Sequence, residues 1–260
     1  MKTHKYILCG VTVILLSVLS ISAQPTKRDD KNLRITINME KQPLGTVFQY
    51  LMEKYEISIG FEQSILDRNH SEYRFHTNLA TPSNTVSNGK LTLTTTTRSS
   101  FEASSHPISL AFDDASLSDV FDTIVKQMDN YEWKIDDGVV NIYPVVGRDE
   151  RFEKLLNLKI SKFTVKEGGT VEDITLNIVQ LPEFRAFIKD TELYFMYVRV
   201  GMDFDIKARY GRGLDKGIDL SNVTFREVLN KSTKIKRGGW ILRWKGVAKQ
   251  SGKEIIDIDI

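Results

Sequence analysis

Four segments of this chain repeat one pattern, a short alternating strand, a small or turn residue and an amphipathic helix, and such repetition leaves few folds open. Ile35-Thr36-Ile37 leads through Pro43 into Leu44, Val47, Phe48, Leu51 and Tyr55. Ile108-Ser109-Leu110 leads through Ser116 into Leu117, Val120, Phe121, Ile124, Val125 and Met128. Phe163-Thr164-Val165 leads through Thr170 into Val171, Ile174, Ile178 and Val179. Ile218-Asp219-Leu220 leads through Thr224 into Phe225, Val228 and Leu229. The apolar offsets put each set on one helical stripe. Ser116, Thr170 and Thr224 stand where an N-cap belongs, and Pro43 suits a first helical turn.

The spacing points to duplication. Leu44 to Leu117 is 73 residues, whereas Leu117 to Val171 and Val171 to Phe225 are both 54. The excess falls in residues 67–105, a Ser/Thr-rich stretch containing Thr94-Thr95-Thr96-Thr97. It has too little apolar surface to order itself, so a mobile loop is expected there. Tyr131–Ile135, Asp136-Asp137-Gly138 and Val139–Tyr143 read as a hairpin with an Asp-Gly turn. Trp240–Trp244 and Ile255–Ile260 read as a second hairpin with a longer loop, and strands are expected near Ile57–Phe61 and Leu193–Val200. The expected fold class is therefore α+β: two tandem small βαβ-βαββ domains, each with two helices packed on a short mixed sheet. The boundary falls at Pro144–Arg151, giving domains 33–146 and 147–260 after a linker at 24–32.

The first domain resembles the secretin and TonB-receptor short N-terminal domain. The likeness is carried by Ile35-Thr36-Ile37, Pro43–Phe48, Ile57–Phe61, Ile108–Leu110, Ala115–Phe121 and Tyr131–Tyr143. It spans 33–144 once the insert is set aside, and it is a hydrophobic pattern rather than a catalytic signature. The second domain is similar more loosely, because Thr175, Ser232 and Thr233 occupy positions the pattern wants apolar. The resemblance implies a periplasmic module that contacts envelope proteins of signalling, uptake or secretion systems. A similar module ends many bacterial iron-responsive anti-sigma regulators. No barrel is expected here, since the 117 residues after Tyr143 lack a succession of ten-residue alternating strands.

The N-terminus agrees with an envelope address. Lys2 and Lys5 precede a charge-free run from Tyr6 to Ser22, and Ala23 precedes Gln24-Pro25. These are the parts of a secretory signal at 1–23 with cleavage after Ala23, the alternative being an uncleaved anchor. Export to the periplasm, with association to the outer membrane as a further option, is the expected localisation. Cys9 is the only cysteine and lies in this leader, so disulfides, zinc-thiolate sites and cysteine nucleophiles are excluded from the remainder. The leader also holds the whole net charge of +2, and a formally neutral remainder argues against a nucleic-acid partner.

Neither catalysis nor a cofactor or metal is expected. His70, His76 and His106 flank or occupy the insert without the spacing of a zinc pair. Asp113-Asp114 and Asp136-Asp137 could be imagined as acid–base pairs, but they sit at turn positions where Asp serves the backbone. Gly168-Gly169 and Gly211-Arg212-Gly213 carry no phosphate-loop fingerprint. The leading expectation is a non-enzymatic protein-interaction module working through sheet edges or polar helix faces. A second reading comes from residues 226–253, where nine basic residues face one acid, Glu227, around Trp240 and Trp244. There Lys234, Lys236, Arg237, Arg243, Lys245 and Lys249 would contact an anionic envelope polymer or lipid head groups. The ordinary reading is that Trp240, Leu242 and Trp244 form a core face, with Arg243 and Lys245 turned outward as solubilising charge.

Overall fold

The computed structural model describes residues 33–67, 81–87, 90–96, 107–195, 214–236 and 238–260. The signal and linker readings at 1–32, the three histidines, Arg237 and residues 196–200 of the expected strand lie outside them. The described residues begin with β1 (Arg34–Gln42), α1 (Leu44–Tyr55) and β2 (Ile59–Glu62). A hairpin of β3 (Thr81–Ser87) and β4 (Lys90–Thr96) follows, then β5 (Ile108–Ser116) and α2 (Leu117–Met128). Next come β6 (Tyr131–Asp136), β7 (Val139–Pro144) and α3 (Glu150–Leu156). The C-terminal half continues with β8 (Lys159–Val165), α4 (Val171–Gln180), α5 (Pro182–Asp190) and β9 (Tyr194–Phe195). It closes with β10 (Ile218–Thr224), α6 (Phe225–Lys236), β11 (Gly239–Val247) and β12 (Glu254–Asp259). The fold is α+β with mixed sheets.

The helices start where the caps are. Ser116 Oγ accepts from the Asp119 N–H at 3.1 Å while the Asp119 carboxylate accepts from the Ser116 N–H. Thr170 with Asp173 and Thr224 with Glu227 make the same reciprocal pairs. Pro43 stands at the N-cap of α1, and its carbonyl takes the Thr46 and Val47 N–H groups. Asp114, at φ +57°, adjoins an irregularity in the β1–β5 register, and Asp137, at φ +50°, precedes Gly138 at φ +69° in the β6–β7 turn. Asp136-Asp137 therefore enters a backbone turn as expected, whereas Asp113-Asp114 lies within β5 at a bulge rather than at a turn.

Within each half the strands pair alike. β1 pairs antiparallel with β5, and β8 with β10. β7 lies parallel to β2 and antiparallel to β6; β12 lies parallel to β9 and antiparallel to β11. The two trios then fuse. β2 pairs parallel with β11, Ile59 opposite Gly239 and Phe61 opposite Ile241, giving one six-stranded sheet ordered β6-β7-β2-β11-β12-β9.

Two clusters of buried side chains lie on opposite faces of that sheet. One gathers Ile59, Phe61, Val140 and Ile142 with α1, α2, β1 and β5, and takes Ile241 from β11. The other gathers Trp240, Leu242, Trp244, Ile256 and Ile258 with α3 to α6. Ile241 and its neighbours Trp240 and Leu242 serve different cores because successive strand residues face opposite ways.

A further local expectation needs correction, and two helices lie outside the repeat pattern. The insert was expected to form no regular structure, yet β3 and β4 pair antiparallel along seven residues. The signal was in the sequence: Asn88-Gly89, a favoured hairpin dipeptide, stands between two Thr-containing segments. The segment 144–151 leads into a helix outside the repeat pattern: Asp149 caps α3, and Phe152, Leu155 and Leu156 are fully buried. A fifth helix, α5, also escaped the repeat pattern, although Pro182 followed by Phe184, Phe187 and Ile188 is a start signal with helical spacing.

Candidate functional site: the joint, the open edge and the basic hairpin

The joint between the halves is close-packed and polar. Gly60 lies beneath the Trp240 indole, where an added Cβ would come within 2.4 Å of the ring, so no larger residue fits without moving it. Glu62 is fully buried and takes a bidentate pair from Arg148, Nε at 2.8 Å and Nη2 at 2.9 Å. Arg226 of α6 approaches the same carboxylate at 3.6 Å. Arg226 is itself buried, and one of its guanidinium nitrogens, Nη1, has no hydrogen-bond partner. Burial pushes its pKa down, opposed by the Glu62 charge.

Around this pair the backbone is stitched across. The Gln63 N–H donates to the Leu242 carbonyl at 2.9 Å, and Gln63 Oε1 accepts from the Trp244 N–H at 2.8 Å. Tyr131 Oη donates to Asp67 and accepts from the Ser64 N–H. On α6, Asn230 Oδ1 accepts from Trp240 Nε1 at 2.8 Å and its amide donates to the Asp136 carbonyl. Lys234 donates to the Asp137 carbonyl at 2.6 Å. Thus α6 is buried on two sides: Phe225, Val228 and Leu229 join its own core, while Arg226 and Asn230 contact the N-terminal half.

The second feature is an open edge. Among the described residues β6 ends the sheet on the N-terminal side and β9 ends it on the other. The Val145 N–H donates to the Asn130 carbonyl beside the β6–β7 ladder. Antiparallel bonding alternates from there, so Glu132, Lys134 and Asp136 turn their N–H groups toward β7, and Tyr131, Trp133 and Ile135 turn theirs outward. Ile135 is 45% exposed, which leaves this backbone edge accessible at its tip.

The basic segment is held mostly by carboxylates. Arg243 was expected to point outward as solubilising charge, but it is buried, with Nε 2.9 Å and Nη2 2.6 Å from Asp257. Lys245 is half-buried and lies 3.4 Å from the same carboxylate, while exposed Lys234 pairs with Asp137. Lys249 is exposed in the β11–β12 loop. Trp240, Leu242 and Trp244 form the expected core face. Of the five described candidate cations, Lys234, Arg243 and Lys245 thus lie against carboxylates of the chain. Among the described residues there is also no group of three or more His, Cys, Asp or Glu that could hold a metal ion.

Lys236 behaves differently from its neighbours. It is half-buried at the end of α6, its stem running over Gly238, and burial pushes its ammonium down to about 8 against a raising effect from Asp259. Asp259 is pushed up, chiefly by its own burial. An unfolded lysine keeps its proton to about pH 10.4, so between about 8 and 10.4 the unfolded state binds more protons and stability rises with pH. Lys236→Met should gain about 1–2 kcal/mol at pH 7, discounted for partial exposure, and should flatten that rise. Urea melts of both proteins at pH 7 and pH 10 check this; coincident wild-type melts would mean the ammonium is well solvated.

Among the described residues no helix is long and apolar enough to cross a membrane. No protein-family model, curated protein or solved structure matches the chain.

Proposed function

We propose that the chain is a non-enzymatic interaction module of the bacterial envelope, built from two tandem domains of the secretin and TonB-receptor short N-terminal type. The carrying observation is the edge of β6, which among the described residues pairs with β7 alone and turns the backbone of Trp133 and Ile135 outward toward a partner strand. The tandem reading draws on the matched pairing schemes of the two halves. It also draws on a repeated detail: Trp133 Nε1 donates to Asp122 of α2 at 2.7 Å as Trp240 Nε1 donates to Asn230 of α6. Asp122 and Asn230 hold the same place in their helices, five residues after Leu117 and Phe225. The periplasmic address comes from the leader reading and the family resemblance, and the partners are envelope proteins.

Capture from detergent-solubilised envelope with the tagged protein tests this. A stoichiometric protein partner is expected, resistant to moderate salt and lost on Ile135→Pro, which deletes one outward N–H without touching the β7 ladder. Recovery of anionic lipid or polymer instead, falling steeply with salt, would overturn the reading. Mass spectrometry of the same preparation should show a mature chain beginning at Gln24.

A further inference from the structure

We propose that the partner strand at β6 is β6 of a second copy of this chain, the two pairing antiparallel about a two-fold axis through Trp133. The inference rests on the interaction-module reading and names its partner.

The edge is self-complementary in charge. β6 carries Glu132, Lys134 and Asp136 on one face of the sheet and Trp133 and Ile135 on the other, where Trp133 meets Phe121 and Asp122 of α2. Glu132 and Lys134 are exposed, and among the described residues neither is held in an ion pair, unlike Lys234, Arg243 and Lys245. A lysine alone on an edge strand wards off pairing. With an acid two residues to either side, it instead selects a register. Antiparallel copies centred on Trp133 set Glu132 of each beside Lys134 of the other. These fall at the closely spaced positions between hydrogen-bonded pairs, where opposite charges attract.

Other registers fail on the same side chains. Moving the centre one residue either way sets Glu132 beside Glu132, or Lys134 beside Lys134 and Glu132 beside Asp136, all of them like charges. A centre at Ile135 would require Trp133 to pair with Asp137, which lies in the β6–β7 turn at φ +50°. Parallel pairing in register sets like beside like throughout. The pairing centred on Trp133 uses the backbone that β6 turns outward, and Trp133 exchanges both hydrogen bonds with its own copy. It also covers part of the Ile135 side chain, which is 45% exposed. Because both copies offer the same strand, the contact closes at two.

Sedimentation velocity of the full-length product, purified from the fraction where it accumulates, tests the proposal. A monomer–dimer equilibrium is expected, with no larger species. Glu132→Lys and Lys134→Glu each oppose like charges twice across the axis and should each weaken the dimer about tenfold or more. Mixed one to one, the two variants place lysines of one copy beside glutamates of the other. The mixture should regain dimerisation to within about threefold of wild type, a rescue that an unfolded variant could not give. A monomer at every concentration, a dimer indifferent to both charge reversals, variants that stay apart when mixed, or growth past two copies would overturn it. Should the protein stay monomeric yet capture a different stoichiometric partner, lost on Ile135→Pro, self-pairing fails and the interaction-module reading stands. Absence of both removes the two together.

Discussion

Glu62→Ala should cost about 3–5 kcal/mol, the penalty for leaving buried cations unpaired. Glu62 is fully buried; without it Arg148 keeps only its ion pair with Glu153, and buried Arg226, one guanidinium nitrogen of which is already unpartnered, loses its ion pair. The loss should appear in both halves at once, because Glu62 sits on the strand that pairs with β11. Trp133 reports on the N-terminal core, and Trp240 and Trp244 on the C-terminal one. Urea titrations followed by tryptophan fluorescence and far-UV circular dichroism should give one coincident, shifted transition. Glu62→Gln combined with Arg226→Met removes both charges and should recover much of the loss, the coupling a double-mutant cycle measures. A cost under about 1 kcal/mol for Glu62→Ala would mean that water reaches the joint and solvates both arginines.

Phe121→Ala should cost about 3–5 kcal/mol by opening a cavity in the N-terminal core. Phe121, Val120 and Ile124 are fully buried in one cluster with Ile108, Leu110 and Ile142, and the Phe121 ring centroid lies 5.6 Å from that of Trp133. Asp122→Ala, on the exposed side of α2, removes only the bond from Trp133 Nε1, which water can replace, and should cost about 0.5–1 kcal/mol. Denaturant melts of the two variants settle it, and equal losses would mean that the phase of α2 is wrong. The corresponding positions in α6 do not behave alike. Helical periodicity puts Asn230 on a polar face, as it does Asp122, yet Asn230 is fully buried and holds the Trp240 indole. Its replacement by alanine leaves a buried donor unmet, at a cost of about 1–3 kcal/mol.

That contrast marks how far sequence reading carries. The phases of α1, α2, α4 and α6, their caps, both hairpins and the α+β class are local properties. A stripe of apolar side chains at helical spacing and a capping pair three residues apart act within a few turns of chain. The hairpin at 81–96 was legible too, through its Asn-Gly, but the composition around it argued the other way. The open β6 edge was anticipated only as a type of surface, since which strand ends a sheet depends on every pairing in it.

What tertiary structure alone decided is the union of the trios. Nothing in Ile59–Glu62 says that it will lie beside Gly239–Leu242, some 180 residues away. No local pattern sets Glu62, Arg148 and Arg226 apart from surface charges; that pairing is what buries the carboxylate between them. Arg243 read as solvated for the same reason, because its partner Asp257 is reached only when β11 folds against β12. Local periodicity records which face of a helix or strand is apolar. Whether the polar face meets water or another part of the chain depends on contacts between distant segments, and α6 has its polar face covered while α2 does not.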